Sequence, residues 1–591
     1  MITPKYLLHN VEKYGNEAAL SVKDKNGNWT TETWNNFYQN VQQIAKSLIA
    51  YKVEIGEKIS IYSYNRPEWY SCYAATQFIN SVAVGIYHTC SSAEVEWIVS
   101  NSDSKIIFVG NNPNDNDEID KMPIHRLNKI LDDQDKVELV VLMNGIETLN
   151  HKKMITWKEF ITKGSSVNDS VLKERNRSIN IDDTSSLIYT SGTTGNPKGV
   201  ELTYNNWKFE LSHTNHFLNL KQGERYVSWL PLAHVFGQLV DNHVWIKDAL
   251  HMYIADSPLA VVDYAKEIKP HLFIGVPRIY EKIYSNLTSA IESKAILKVG
   301  LKIPFLSEVL KKKMKEAVGF TNLRYAATGA APINPAILKL FQFLDIPIFE
   351  GYGMTENTAV ATVNYQGQNK IGTVGKSLPD TNLKLSDDGE ILLKGPFVMK
   401  GYYKNEEATR ETIKNGWLHT GDVGKMDSDG YLSVIGRKKE IYVSSGGKNI
   451  APLVIEETMK SIPIISQCFL VGDARNYCTA LFTLDVSAIL RDKVGIETQN
   501  ISKDPLKQLE QLEEHGHSLS DFTENEEIKL EIKRSVDKLN QQFSNPEQIK
   551  LFSILPRDFS IDTGELTPTL KIRRKQINKN WSDIIESIYK D

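Results

Sequence analysis

Over the first 180 positions, short apolar runs alternate with stretches of helical spacing. The runs KISIYSY (58–64), SKIIFVG (104–110) and VELVVLM (137–143) are each bounded by turn residues or charges. A strand pattern that repeatedly gives way to a helical one predicts a mainly parallel sheet covered on both faces. The same rhythm returns at HLFIGVP (271–277), NLRYAATG (322–329) and IPIFEGYG (346–353), where each run empties into glycine or small residues. Ligands of open α/β sheets bind beyond the carboxyl ends of strands, so these three exits are candidate site loops.

Beyond about residue 370 the texture becomes short β segments with Asp-Gly pairs, as in DDGEILLKG and DSDGYLSVIG, which predict hairpins. From 500 to 548 the chain is charged and helical (EEIKLEIKRSVDKLNQQF). The β-like run KLFSILPRDFS, the basic LTPTLKIRRK and a terminal helix follow. The natural division into a large and a smaller domain falls near 437–440. At 591 residues the chain is too long for one core, which agrees with that division.

Composition narrows the function classes. A 41% hydrophobic and 24% charged chain is an ordinary globular one, and 69 basic against 73 acidic residues argue against bulk electrostatic binding of nucleic acid. Cys72, Cys90, Cys468 and Cys478 are widely spaced, with no metal-ligand spacing, and are expected to be reduced thiols of a cytoplasmic protein. The N-terminal sequence lacks the pattern of a signal peptide, and no apolar run is long enough to cross a bilayer. The expectation is a soluble protein that rests on a membrane surface at most. Residues 294–315 mix aliphatics with seven lysines and are interrupted by Pro304. Such a segment suits both an anionic membrane surface and a solvated charged face.

The strongest local signal is TSGTTGNPKG, residues 190–199, directly after SSLIYT. Glycine permits close approach of backbone N–H groups to an anion, and Lys198 adds a point charge. The spacing Gly192-x-x-Gly195-x-x-Lys198 differs from G-x-x-x-x-G-K-[ST], so the mechanism of P-loop nucleotidases does not transfer.

This loop resembles the signature of the adenylate-forming (AMP-binding) superfamily, which includes acyl-CoA synthetases. The other blocks of that superfamily follow in order: SWLPLAHVFG (228–237), TGAAP (328–332), EGYGMTENT (350–358), NGWLHTGDVG (415–424), VIGRKKEIYVSSGGKNIAP (434–452) and LTPTLKIRRK (566–575). The segments NRPEWYSCYAATQFINSVAVGIY and RDFSIDTGELTPTLKIRRK are most similar to the bubblegum-type long-chain fatty acid-CoA ligases.

The resemblance implies an α/β fold: a large N-terminal domain of helix-flanked sheets with a β-barrel-like subdomain (1–436), a hinge (437–440) and a small mobile α+β C-terminal domain (441–591) carrying the catalytic lysine. It implies ligation of a fatty acid to coenzyme A through an acyl-adenylate, with ATP and Mg²⁺. It assigns phosphate binding to Thr190, Ser191, Gly192, Thr193, Thr194, Gly195, Asn196, Pro197 and Lys198, and metal binding to Thr190 and Glu356. The adenine falls to Gly329, Ala330 and Tyr352, with Gly353, Met354, Thr355 and Asn357 in the same block. Asp422 is assigned the ribose hydroxyls, Arg437 the ribose and phosphate side, and Lys571 the α-phosphate and acyl oxygen. His234 is either a group beside the acyl site or a satisfied buried histidine, while His243 and His251 read as structural. Arg573, Arg574 and Lys575 around Lys571 also suit a solvated basic face.

Peptide-synthetase adenylation domains usually place an Asp in the block equivalent to 233–236. Here that stretch is Ala-His-Val-Phe, which leaves an amino-acid ammonium without its partner. The rival readings are a ligase for a medium-chain or aryl acid and a non-catalytic lipid-binding scaffold. Retention of Thr190, Lys198, Glu356, Asp422, Arg437 and Lys571 argues against the scaffold.

Overall fold

The computed structural model describes residues 1–112, 119–146, 149, 151–190, 196–293, 295–443, 449–473, 475–567 and 571–590. Among them, the first 437 residues form two parallel-centred sheets and one antiparallel sheet. One sheet has eight strands, in the spatial order Gly401–Tyr402, Lys198–Thr203, Thr184–Thr190, Val82–Ile86, Lys58–Ser63, Ser104–Gly110, Leu139–Leu142, Met154–Thr156. Its six strands from Thr184–Thr190 outward are parallel. The second has nine strands and a parallel centre that includes Leu272–Gly275, Tyr325–Thr328 and Ile348–Tyr352. The six apolar runs singled out in the sequence are therefore strands, divided between two sheets.

Fully buried strands explain why these runs are continuous rather than alternating: Leu139–Leu142 and Leu272–Gly275 are buried at every position. Trp34, Trp69, Tyr70 and Trp245 fill the main core between the sheets. The Asp-Gly pairs are hairpin turns as expected. Gly389 (φ +81°) and Gly430 (φ +82°) adopt the left-handed conformation that turns Asn382–Leu385 into Glu390–Lys394 and Trp417–Met426 into Leu432–Arg437. These strands belong to the five-stranded antiparallel sheet, whose core centres on Phe209, Ile391, Phe397 and Leu418.

Residues from Tyr442 onward have cores of their own, one around Ile455, Leu470, Phe482 and Ile532, the other around Phe469, Leu555, Phe559 and Ile577. Ile465–Val471 pairs antiparallel with Cys478–Leu484, which pairs parallel with Ile549–Ile554. A parallel pair needs a long crossover, and the charged helical stretch supplies it as Pro505–Glu514, Ser520–Thr523 and Glu526–Asn540. All four cysteines are free and buried. No described helix is long and apolar enough to cross a membrane.

Polar contacts dock this C-terminal lobe on the rest. Arg278 donates to Ser466 Oγ at 3.1 Å, Lys460 lies 3.7 Å from Glu281, and Arg573 reaches Glu94 at 3.2 Å.

Candidate functional site

The glycine-rich loop joins two antiparallel strands, Thr184–Thr190 and Lys198–Thr203, whose end residues Thr190 and Lys198 are directly paired. Paired residues of an antiparallel ladder project on the same face, so a hydroxyl and an ammonium stand side by side at the mouth of the loop. This strand–loop–strand arrangement differs from the strand–loop–helix of P-loop nucleotidases. Ser191, Gly192, Thr193, Thr194 and Gly195 lie outside the described residues. Asn196 is exposed, and the Pro197 carbonyl accepts a 2.9 Å hydrogen bond from Trp97 Nε1.

Lys198 lies over the ring of Tyr402, its Nζ 4.8 Å from the centroid, and the Tyr402 hydroxyl donates to Glu356 Oε1 at 2.8 Å. Tyr402 thus ties the lysine of the loop to the carboxylate of a distant block. Nothing near Tyr402 in the sequence signals this role, which depends on its strand Gly401–Tyr402 pairing with Lys198–Thr203.

Glu356 sits in the short turn Thr355–Asn357 after strand Ile348–Tyr352, with all three residues of the turn buried. Met354 donates its N–H to Asn357 Oδ1 at 2.7 Å, which fixes the entry to the turn. Only glycine fits at 353, because a Cβ there would lie 1.8 Å from the Ala359 carbonyl oxygen. Ala330, Thr358 and Ala359 have φ of +69°, +60° and +92°. Left-handed backbone at residues other than glycine is strained and concentrates at functional sites, and here it flanks the two blocks assigned to the adenine. Gly329 ends strand Tyr325–Thr328, with the Phe236 ring and the Gly351 carbonyl closest to its bare Cα face.

The Asp422 and Arg437 blocks meet as cross-strand neighbours. Arg437 Nε lies 3.0 Å from Asp422 Oδ1, and the Tyr352 hydroxyl donates to Asp422 Oδ2 at 2.7 Å. Burial pushes the Asp422 carboxyl above its ordinary pKa, a tendency that Arg437 and Tyr352 oppose. A carboxylate has about four lone-pair positions, so two donors leave it room to accept ribose hydroxyls.

Lys571 comes from the C-terminal lobe. Its N–H donates to Thr567 Oγ1 at 3.0 Å, and its carbonyl accepts from Thr567 N at 2.8 Å. The residue is exposed to solvent, yet protein atoms surround its ammonium. Burial, then repulsion from Arg437, lowers its pKa, while Asp422, Glu356 and Glu440 pull in the opposite sense. His234 shares this field: burial first, then the Lys571 charge, push its pKa down to about 3. His234 Nδ1 accepts the Phe236 N–H at 3.2 Å, so the ring is neutral and partly satisfied.

The basic run divides three ways. Arg573 pairs with Glu94 across the lobes, Arg574 is bound within its own lobe by Glu456, and Lys575 is exposed. It is not a uniform solvated face. His243 bonds to Thr3 Oγ1 and Tyr73 OH, and His251 to Ser21 Oγ, so both have structural partners away from the cleft. A separate cleft of about 550 Å³ lined by Asn65, Arg66, Glu68, Trp157 and Tyr264 contains none of the site residues.

No cluster of three acidic, His or Cys side chains occurs among the described residues. A magnesium ion that arrives on nucleotide phosphates needs only one or two protein oxygens, which the Glu356 carboxylate and Thr190 hydroxyl suit.

Glu350 stands two residues before Tyr352, with Oε2 buried and unpartnered among the described residues, and burial raises its pKa to about 8. Between pH 4.5 and about 8 the folded protein holds a proton that the unfolded chain has released. Stability should therefore fall as pH rises through that window, by up to about 1.4 kcal/mol per pH unit. In Glu350→Gln that component should vanish. Urea unfolding of both proteins from pH 5 to pH 8 checks this, and parallel curves would reject it.

The family model described as AMP-binding enzyme matches residues 7–403. The chain is 32% identical over 599 residues to the long-chain-fatty-acid–CoA ligase FadD15 of Mycobacterium bovis, an alignment covering 95% of this chain and 93% of that protein. It is 30% identical over 625 residues to the long-chain-fatty-acid–CoA ligase ACSBG2 of Gallus gallus, covering 98% and 80%. Its fold is similar to the crystal structure of the anthranilate CoA ligase AuaEII in complex with anthranoyl-AMP, with a TM-score of 0.74 at 18% identity over 99% of this chain and 98% of that one.

Proposed function

The chain belongs to the AMP-binding enzyme family, and from that membership we propose that it joins a long-chain fatty acid to coenzyme A at the expense of ATP. A carboxylate is a poor electrophile, because its charge repels nucleophiles and oxide is a poor leaving group. In the first half-reaction a carboxylate oxygen bonds to the α-phosphorus and the bond to pyrophosphate breaks. In the second, the thiol of coenzyme A adds to the acyl carbon, AMP leaves, and the thiol proton goes to solvent or a base.

The observation that supports this reading best is the convergence of two lobes on one cleft: the Lys571 ammonium lies within electrostatic reach of Asp422, Arg437 and Glu356. We assign Asp422 to the ribose, Tyr352 with Gly329 and Ala330 to the adenine, and the loop from Thr190 to Lys198 to the phosphates. Lys571 balances the charge that grows at the α-phosphate, where a preorganised cation is most effective. Magnesium, held by Glu356 and Thr190, would neutralise phosphate charge. His234, neutral at working pH, can supply a hydrogen bond but no proton.

Rotation of residues 441–591 about 437–440, near Lys439, would withdraw Lys571 for the second half-reaction. The SSGG segment (444–447) that this rotation would present lies outside the described residues. The compartment is proposed to be the cytoplasm, with contact to a membrane surface only at the periphery.

A pyrophosphate-release screen with acids from short to very long chains, with and without Mg²⁺ and coenzyme A, tests the reading. Turnover should rise towards long chains and require both. A maximum with aryl or medium-chain acids would reassign the substrate, and silence with every acid would overturn ligase activity.

A further inference from the structure

Helix Pro304–Ala317 buries Ser307, Leu310 and Met314 on one side. By helical spacing, positions 305, 308, 309, 312, 313 and 316 then share its outer face. That face begins with Phe305, which is 85% exposed, and Val309, and continues to Lys312 and Lys313, with Glu308 and Glu316 also on it. The preceding turn adds Lys302 and Ile303, both exposed. Gly300 packs against Leu306 and Leu310, which seats the short helix Ala295–Gly300 beside the longer one and leaves Lys298 and Val299 outward.

The charges are sorted as well. Lys311 pairs with Glu308 at 3.1 Å and Asp345 at 3.6 Å, and Lys315 also faces Asp345. Lys298, Lys302, Lys312 and Lys313 have no acidic partner among the described residues. From 297 to 318 six lysines stand against two glutamates, on a chain whose net charge is −4.

We propose that this helical pair is the face by which the protein docks on a bilayer containing anionic lipid. The apolar tips Phe305, Ile303 and Val299 would enter the headgroup layer, with the unpaired lysines at the level of the phosphates. Charge complementarity favours lipid: the exposed apolar side chains Val299, Ile303, Phe305 and Val309 lie in a segment where lysines outnumber glutamates six to two. The inference names the surface for the peripheral contact proposed above. It rests on the ligase reading only in that a long-chain acid partitions into such a bilayer.

The test is co-sedimentation of the full chain, without nucleotide, with vesicles of phosphatidylcholine alone or mixed with phosphatidylglycerol. The wild type should bind the mixed vesicles at least about tenfold more tightly, and high salt should release it. Lys312→Gln/Lys313→Gln should weaken binding roughly thirtyfold, at about 1 kcal/mol per lysine. Phe305→Ser should weaken it about tenfold by removing one buried aromatic side chain. Both variants should keep the wild-type circular dichroism and turnover of detergent-dispersed acid. Equal binding to both vesicle types, or variants that bind like the wild type, would overturn the proposal. So would lipid-independent self-association abolished by Phe305→Ser, which would assign the face to a second copy. Because binding is read without turnover, failure here leaves the ligase reading untouched, and an inactive protein that still docks would separate the two in the other direction.

Discussion

Replacing Lys571 by alanine is expected to slow acyl-adenylate formation by about 10²-fold or more, the scale for losing one preorganised charge or donor at a developing anion. The ammonium lies within electrostatic reach of Arg437, Asp422 and Glu356, and no other side chain of the C-terminal lobe is assigned to the α-phosphate. Thioester formation from supplied acyl-adenylate should largely survive, since the proposed rotation withdraws the lysine for that step. Pyrophosphate release reads the first half-reaction, and coenzyme A consumption with synthetic acyl-adenylate reads the second. Equal losses in both would contradict the division of labour. The wild-type pH profile carries a linked signature. The lysine acts as a cation, and burial with Arg437 lowers its pKa, so adenylation should decline with rising pH before an ordinary lysine would titrate.

Replacement of Glu456 by alanine is expected to destabilise the C-terminal lobe by about 3 kcal/mol, the lower end of the cost of breaking a buried ion pair, because Arg574 keeps a contact to Glu440 at 3.3 Å. Arg574 donates from both terminal nitrogens to the Glu456 carboxylate, at 2.9 Å to Oε1, and both side chains are largely buried. The same Oε1 accepts the Leu470 N–H at 2.7 Å, which ties the pair to strand Ile465–Val471. Arg574 starts the helix that follows Lys571, so the pair also anchors the segment next to that lysine. The double variant Glu456→Leu/Arg574→Met should recover most of the loss, because removing both charges removes the desolvation penalty. Denaturant unfolding followed by a probe in the C-terminal lobe measures both. A single variant as stable as wild type would show that the pair contributes nothing net.

The two results are linked. Arg573, Arg574 and Lys575 read alike in sequence, yet one spans the lobes, one locks its own lobe and one faces solvent. Composition cannot separate them, because what divides them is which acidic side chain the fold brings near: Glu94 or Glu456.

What the sequence determined was local. Short apolar runs bounded by turn residues or charges became buried strands, and the Asp-Gly pairs became tight turns. The order of the site blocks was legible because each is a contiguous string whose backbone demands, such as the bare Cα at Gly353, are written into its own residues. The division of the strands between two sheets, the side-by-side placement of Thr190 and Lys198, and the bridge from Lys198 through Tyr402 to Glu356 were decided only by tertiary structure. So was the capture of Asp422 between Arg437 and Tyr352. Periodicity records which face of an element is buried but not what that face meets. Cross-strand register and lobe docking join residues far apart in the chain, and whether a charge serves catalysis or structure depends on those distant partners.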